Sequence, residues 1–410
     1  ALSFNLFYSP ANIQQPLFAI APLTKGKTIM KSCHMMAKIS TSSCNVHGTD
    51  CFYLNKEQFL PECKAYCMDD TMLQLFIRQK IEAQESHDVI FTWQGVELTP
   101  DRLNFFKRVI ALQQQFAQGK NIFNTLLTNG ILLDDDWCEF FRKNQFLIGI
   151  SVDGDVSLYN NFRKTISGKS MNHPVEKAVR LLQKHDVEFH TLTVISARSS
   201  QQPLQIYNYL KSLGSNHMQF IPLLEPLAQG GVNARSLAPA ALGTFLKTIF
   251  YTWIRLDIGT IKIPIFEHAF AAWCGLPASN CAFASFAGSV FSPKINDDLC
   301  QCDRFVNPQS SLSNKYQSIT TTLHESVSNQ MIMQSKLPLV AECASCKVKF
   351  ACHGGCPKDR IVLSRRGVPE LNYFCESYQA FFTYVEPYML MMRALWEQSY
   401  APSDIRQYLA

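Results

Sequence analysis

Between residues 343 and 375 the chain places five cysteines, as Cys343-x2-Cys346-x5-Cys352-x3-Cys356 and then Cys375 at the end of Asn372-Tyr373-Phe374-Cys375. Thiolates at these spacings leave the backbone little freedom, because the turns between them must deliver sulfur to a common centre. A four-ligand centre uses four thiolates, so the fifth must reach elsewhere or stay free. Candidate partners lie upstream at Cys281 and Cys302, and the C-terminal third therefore reads as a module built around sulfur–metal centres.

Fifteen cysteines is a high and odd count for 410 residues. Disulfide frameworks belong to short secreted chains of under ~100 residues. Here the cysteines cluster at ligand spacings at both ends of a long chain, so reduced, metal-binding thiolates in a cytoplasmic protein are expected. The length suits a barrel-sized domain plus a smaller one. No run of about 18 uncharged apolar residues occurs, so no membrane span is expected. The net charge of +5 is spread without a Lys/Arg block, which argues against a nucleic-acid partner. Residues 1–29 carry an apolar stretch, Pro16 to Leu23, without the basic region and longer apolar core of a signal peptide, and read as an extension of unknown role.

The middle of the chain alternates strand-like and helix-like runs. Strands are expected at His34 to Ser40, Val89 to Trp93, Asn121 to Leu127, Leu147 to Ser151, Phe189 to Ile195 and Met218 to Leu223. Helices are expected at Leu103 to Phe116, Asp134 to Lys143, Val175 to His185 and Pro203 to Leu213. Strands separated by helices imply a parallel sheet with right-handed crossovers. The fold class is α/β: a partial TIM-type (β/α)6 barrel over 30–235, helices at 242–256 and 264–275 within a linker over 236–275, a small cysteine-rich domain over 276–376, and a C-terminal helix and tail over 377–410. Barrels of this kind place their chemistry at the C-terminal strand ends. The first four strands deliver Cys44, then Gly95 and Glu97, then Asn129, then Ser151 and Asp153 to that end.

Strings along this framework resemble the anaerobic sulfatase-maturating enzymes, a branch of the radical S-adenosylmethionine superfamily with a SPASM-type auxiliary-cluster domain. They are Cys44 through Cys51-Phe52-Tyr53-Leu54, Phe91-Thr92-Trp93-Gln94-Gly95, Thr128-Asn129-Gly130, Leu132 to Cys138, Gly149 to Gly154, Gln219 to Pro222, Cys302-Asp303 and Cys352-His353-Gly354-Gly355-Cys356-Pro357-Lys358. The resemblance runs from about residue 34 to the C-terminus. It implies up to three [4Fe-4S] clusters, S-adenosyl-L-methionine as cofactor, and a sulfatase polypeptide as partner of a monomer. In the reaction it implies, an adenosyl radical takes a Cβ hydrogen from a substrate Cys or Ser. A base takes the side-chain proton, and an auxiliary cluster accepts the electron to leave Cα-formylglycine.

Carried over residue by residue, the radical cluster falls on Cys44 and Cys51, and S-adenosylmethionine contacts fall on Gly95, Glu97, Ser151 and Arg163. One auxiliary cluster falls on Cys281, Cys302 and Cys356, the other on Cys343, Cys346, Cys352 and Cys375, with Asp303 as the base. Zinc is the alternative occupant of the last four, since C-x2-C is also zinc spacing. Cys33, Cys63, Cys67 and Cys138 read as unligated. The chain departs from the family pattern at three cofactor positions: Gly48 replaces the middle cysteine of CxxxCxxC, Val96 replaces a loop glycine, and Ala287 replaces an auxiliary ligand. His47 or Cys33 could complete the first cluster, and Cys274 or Cys300 the auxiliary one. Fewer than three clusters are therefore expected. The competing reading is a non-catalytic, peptide-binding scaffold that keeps one iron–sulfur or zinc site.

Overall fold

A computed structural model of the chain describes residues 34–38, 46–48, 69–84, 86–94, 98–152, 163–165, 172–227, 229–278, 280, 282–284, 290–293, 299–300, 311–313, 339–363, 367 and 369–409. In chain order the strands are β1 (His34–Lys38), β2 (Val46–Gly48), β3 (Asp88–Gln94), β4 (Asn121–Thr128), β5 (Phe146–Ser151), β6 (Arg163–Thr165), β7 (Phe189–Ile195), β8 (Met218–Pro222), β9 (Val290–Pro293), β10 (Leu299–Cys300), β11 (Ser311–Ser313), β12 (Val362–Leu363) and β13 (Pro369–Leu371). The longer helices are α1 (Asp70–Ala83), α2 (Pro100–Phe116), α3 (Asp135–Lys143), α4 (Asn172–Lys184), α5 (Pro203–Ser212), α6 (Pro239–Leu256), α7 (Pro264–Trp273) and α8 (Cys375–Glu397).

Six strands run parallel in the order β1-β3-β4-β5-β7-β8, with a helix in each crossover, which is the expected partial barrel. Two features were not foreseen. Helix α1 fills the first crossover, started by the Asp69 side chain, which accepts from the Met72 amide at 2.8 Å. The sheet also continues past β1: β9 joins it in parallel, followed by antiparallel β10 and β11. The cysteine-rich segment thus supplies strands to the barrel's own sheet. Among the described residues no helix is long and apolar enough to cross a membrane.

The two faces of the sheet differ in chemistry because side chains alternate along each strand. Outward, Phe91 and Trp93 stack at 5.7 Å, and Phe106 of α2 meets Trp93 edge-on. Each such buried side chain stabilises by about 1.5–3 kcal/mol. Inward, Leu127, Leu192 and Ile221 form a small apolar group of their own. Leu127, Gly149 and His190 are register partners across β4, β5 and β7. A Cβ on Gly149 would lie 2.4 Å from Leu127 Cδ2 and 2.8 Å from His190 Nε2, so only glycine lets these two side chains meet across β5. Gly149→Ala is expected to lower stability by about 1–3 kcal/mol through overpacking, read as a shift in the urea midpoint.

Beyond the barrel, α6 and α7 pack on α8. Phe381 of α8 stacks on Phe266 at 5.6 Å and meets Phe250 edge-on. The Ser377 hydroxyl donates to the Pro239 carbonyl and accepts from the Gly243 amide, fixing the first turn of α8 against α6. That anchoring matters because α8 begins at Cys375.

Candidate metal centre

The spacing of Cys343, Cys346, Cys352 and Cys375 is converted into a pocket by short turns. A four-residue helical turn over Ala341–Ala344 carries Cys343, and a second over Lys349–Cys352 ends on Cys352. The chain then reverses through three consecutive left-handed residues, His353, Gly354 and Gly355. Glycine is required at Gly355 for space as well as for φ, since a Cβ there would lie 2.4 Å from Asn372 Nδ2. Asn372 holds the loop closed: its amide donates to the Cys356 carbonyl at 3.2 Å, and its side-chain oxygen accepts from the Phe374 amide at 2.9 Å. The Cys375 amide bonds the Asn372 carbonyl, so the last ligand is delivered by the residue that closes the loop.

All four cysteines line one pocket, together with Glu342, Lys349, Asn372 and Gln379. Cys352 is 8% exposed, and its thiol is pushed up to about 12, first by burial and then by the neighbouring Cys375, Cys343 and Cys346; the Gly354 amide bonded to it works the other way. Cys375 is raised to about 11 by burial, then by Cys343 and Cys346. Cys343 is raised by burial, which the Arg360 guanidinium opposes. Burial and neighbouring thiols hold Cys343, Cys352 and Cys375 in the protonated form unless cations enter the pocket. Metal binding supplies those cations and releases the protons.

Four thiolates lining one pocket suit either a single zinc, with Zn–S bonds of about 2.3 Å, or an iron–sulfur cluster with one iron per thiolate. Among the described residues no group of three or more His, Cys, Asp and Glu side chains is placed to hold a metal ion as the thiols stand. Cys138, Cys274, Cys343, Cys346, Cys352, Cys356 and Cys375 are free of disulfides. Cys356, 7% exposed, is not among the residues lining this pocket. Cys274, considered as a replacement ligand of the other auxiliary cluster, lies beside Arg393 and Glu397. Cys138 is buried in the aromatic core, and burial pushes its thiol up to about 12.

The other expected site residues are placed unevenly. Ser151 ends β5, half-buried, and pairs with Leu192. Strand β6 pairs antiparallel with β2, setting Arg163 opposite Gly48, so an expected S-adenosylmethionine contact is brought to the expected cluster loop. Cys44, Cys51, Gly95, Val96, Glu97, Asp153, Cys281, Ala287, Cys302 and Asp303 lie outside the described residues, as do Cys33, Cys63 and Cys67. Sequence reasoning named Asn372 only as part of a string and missed Arg360 altogether, although an arginine four residues after a cysteine ligand is a signal that could have been read.

The chain is 34% identical over 395 residues to a serine-type anaerobic sulfatase-maturating enzyme of Bacteroides thetaiotaomicron, covering 92% of this chain and 95% of the relative. This chain belongs to the anaerobic sulfatase-maturating enzyme family. A cysteine-type anaerobic sulfatase-maturating enzyme of Clostridium perfringens is 30% identical over 366 residues, covering 88% and 98% of the two chains. The structure described as native anSMEcpe with bound AdoMet and Cp18Cys peptide superposes with a TM-score of 0.78 at 28% identity, covering 88% of this chain and 99% of that one. Streptococcus suis SuiB shares the fold, with a TM-score of 0.58 at 12% identity. No family model matches the chain. The serine- and cysteine-type members are thus both similar to this one over nearly their whole length.

Proposed function

We propose that this chain is a radical S-adenosylmethionine enzyme that oxidises a Cys or Ser of a sulfatase polypeptide to Cα-formylglycine. The reading is carried by the four-thiol pocket, found intact in a member of the sulfatase-maturating family. On this reading Cys343, Cys346, Cys352 and Cys375 hold one auxiliary [4Fe-4S] cluster, and Cys281, Cys302 and Cys356 belong to the other. Cys44 and Cys51 serve the radical cluster, while Gly95, Glu97, Ser151 and Arg163 orient S-adenosylmethionine. When bound, that cofactor supplies the hydrogen-abstracting radical. Asp303 takes the proton from the substrate side chain, a role open to a carboxylate whose pKa the site tunes. The peptide bound to anSMEcpe supports a polypeptide substrate here too. The protein is read as a cytoplasmic monomer without a nucleic-acid partner.

Gly48 favours a second reading, because a cubane that leaves one iron open for the cofactor needs three thiolates and CxxxCxxC here supplies two. That reading is a peptide-binding scaffold with one auxiliary cluster. Anaerobic incubation with dithionite, S-adenosylmethionine and a sulfatase-motif peptide separates the two. Formylglycine and 5′-deoxyadenosine are expected from the enzyme and neither from the scaffold. Removing even an outer hydrogen-bond partner of a metal ligand costs roughly 10–100-fold. Restoring Cys at Gly48 and Ala287, with Gly at Val96, is therefore expected to raise 5′-deoxyadenosine output by at least that factor. Equal rates before and after restoration would show that the three departures do not limit the chain.

A further inference from the structure

His268 is 2% exposed, on α7, and it touches two cysteine-bearing segments at once. Its Nε2 lies 2.7 Å from the Ala351 carbonyl, the residue before Cys352. A carbonyl only accepts, so Nε2 carries the proton and donates. Ala351 sits in a helical turn of four residues, whose last carbonyls the turn cannot satisfy itself. On its flat face the imidazole stacks on Phe283 at 4.8 Å, with the rings 17° apart. Phe283 is two residues beyond Cys281 and bonds back to the Asn280 carbonyl through its amide. Phe382 of α8 meets both rings edge-on, which removes the room either would need to swing away.

We propose that His268 is a positioning residue of the auxiliary module: its N–H sets the height of the Cys352 turn while its ring sets the segment following Cys281. Helix α7 then acts as the common post from which the two auxiliary sites are spaced. A phenylalanine would keep the stack and lose the donor, whereas a glutamine keeps a donor and loses the stack. The assignment rests on the four-thiol pocket being a ligand site, but its main consequence, protection of Cys352, exists without iron.

The experiment measures thiol alkylation by mass spectrometry in the metal-free full-length protein, with buried Cys138 as internal reference. In His268→Phe, labelling of Cys352 is expected to accelerate about fivefold relative to Cys138, the bias that one net hydrogen bond supplies. His268→Gln is expected to restore most of that protection. An unchanged Cys352 rate in His268→Phe, equal rates in both variants, or Cys352 and Cys138 accelerating in step each overturn the proposal. Failure to take up iron in the unsubstituted protein counts against the cluster reading alone, and the alkylation result still decides for or against His268.

Discussion

Cys375→Ala is expected to remove an entire auxiliary centre, lowering iron and sulfide after anaerobic reconstitution by about four each per chain. Among the described residues, Cys356 has its carbonyl held by Asn372 and does not line the pocket. Cys274 lies beside Arg393, and Arg393 Nη1 bonds the Trp273 carbonyl at 3.2 Å. Cys375 and Arg393 are 18 residues apart on one helix, which at about 1.5 Å per residue separates them by ~27 Å. Cys274→Ala is therefore expected to leave this centre's share of the iron and sulfide in place. The thermal midpoint should fall with the iron in Cys375→Ala, because metal binding here is part of folding. An unchanged iron content in that variant would remove the pocket from consideration as a ligand site.

The legible parts of this fold were those whose information is local. Most of the alternating strands and helices were readable because their crossovers carry a local periodicity, and β7 was found at its observed bounds. The four-thiol site was readable because three of its ligands lie within ten residues, and the fourth sits where a helix must begin. Helix α1 escaped for a physical reason. Its buried stripe of Leu73, Phe76, Ile77 and Ile81 includes Lys80, fully buried with Nζ 4.7 Å from the centre of the Phe91 ring, and a lysine in that row reads as polar. Strands β9 to β11 escaped because two to four residues carry no periodicity, and β9 finds its partner, β1, more than 250 positions away. The contacts of His268 and Asn372 reach residues distant in sequence, and no spacing announces them.

Acid is expected to weaken this protein through the floor of its barrel, where His190 is buried. The ring is fully buried beside His217, centroid to centroid 5.3 Å, and neither of its nitrogens has a hydrogen-bond partner among the described residues. Burial alone pushes His190 down to about 3. His217 is lowered as well, first by burial and then by His190 and Lys262. In the unfolded chain a histidine titrates near 6.5, so between about 6.5 and 3 the unfolded state holds the extra proton. The contribution is thus fully present above pH ~6.5 and is lost as pH falls, at about 1.4 kcal/mol per pH unit for His190. By pH 5 that amounts to roughly 2 kcal/mol, a large part of a typical total of about 5–15 kcal/mol. Glu267 works in the opposite direction, since burial pushes its carboxyl up to about 8 and the folded state then holds the extra proton below that. The comparison must therefore be between proteins that share Glu267. His190→Leu keeps the site filled and removes the titration. Its stability is expected to fall less steeply than that of the parent between pH 6.5 and 5, by about 1.4 kcal/mol per unit in urea melts of the metal-free protein. Parallel curves over that range would mean that His190 is already charged in the folded barrel, and that the polar floor beneath Gly149 is open to water.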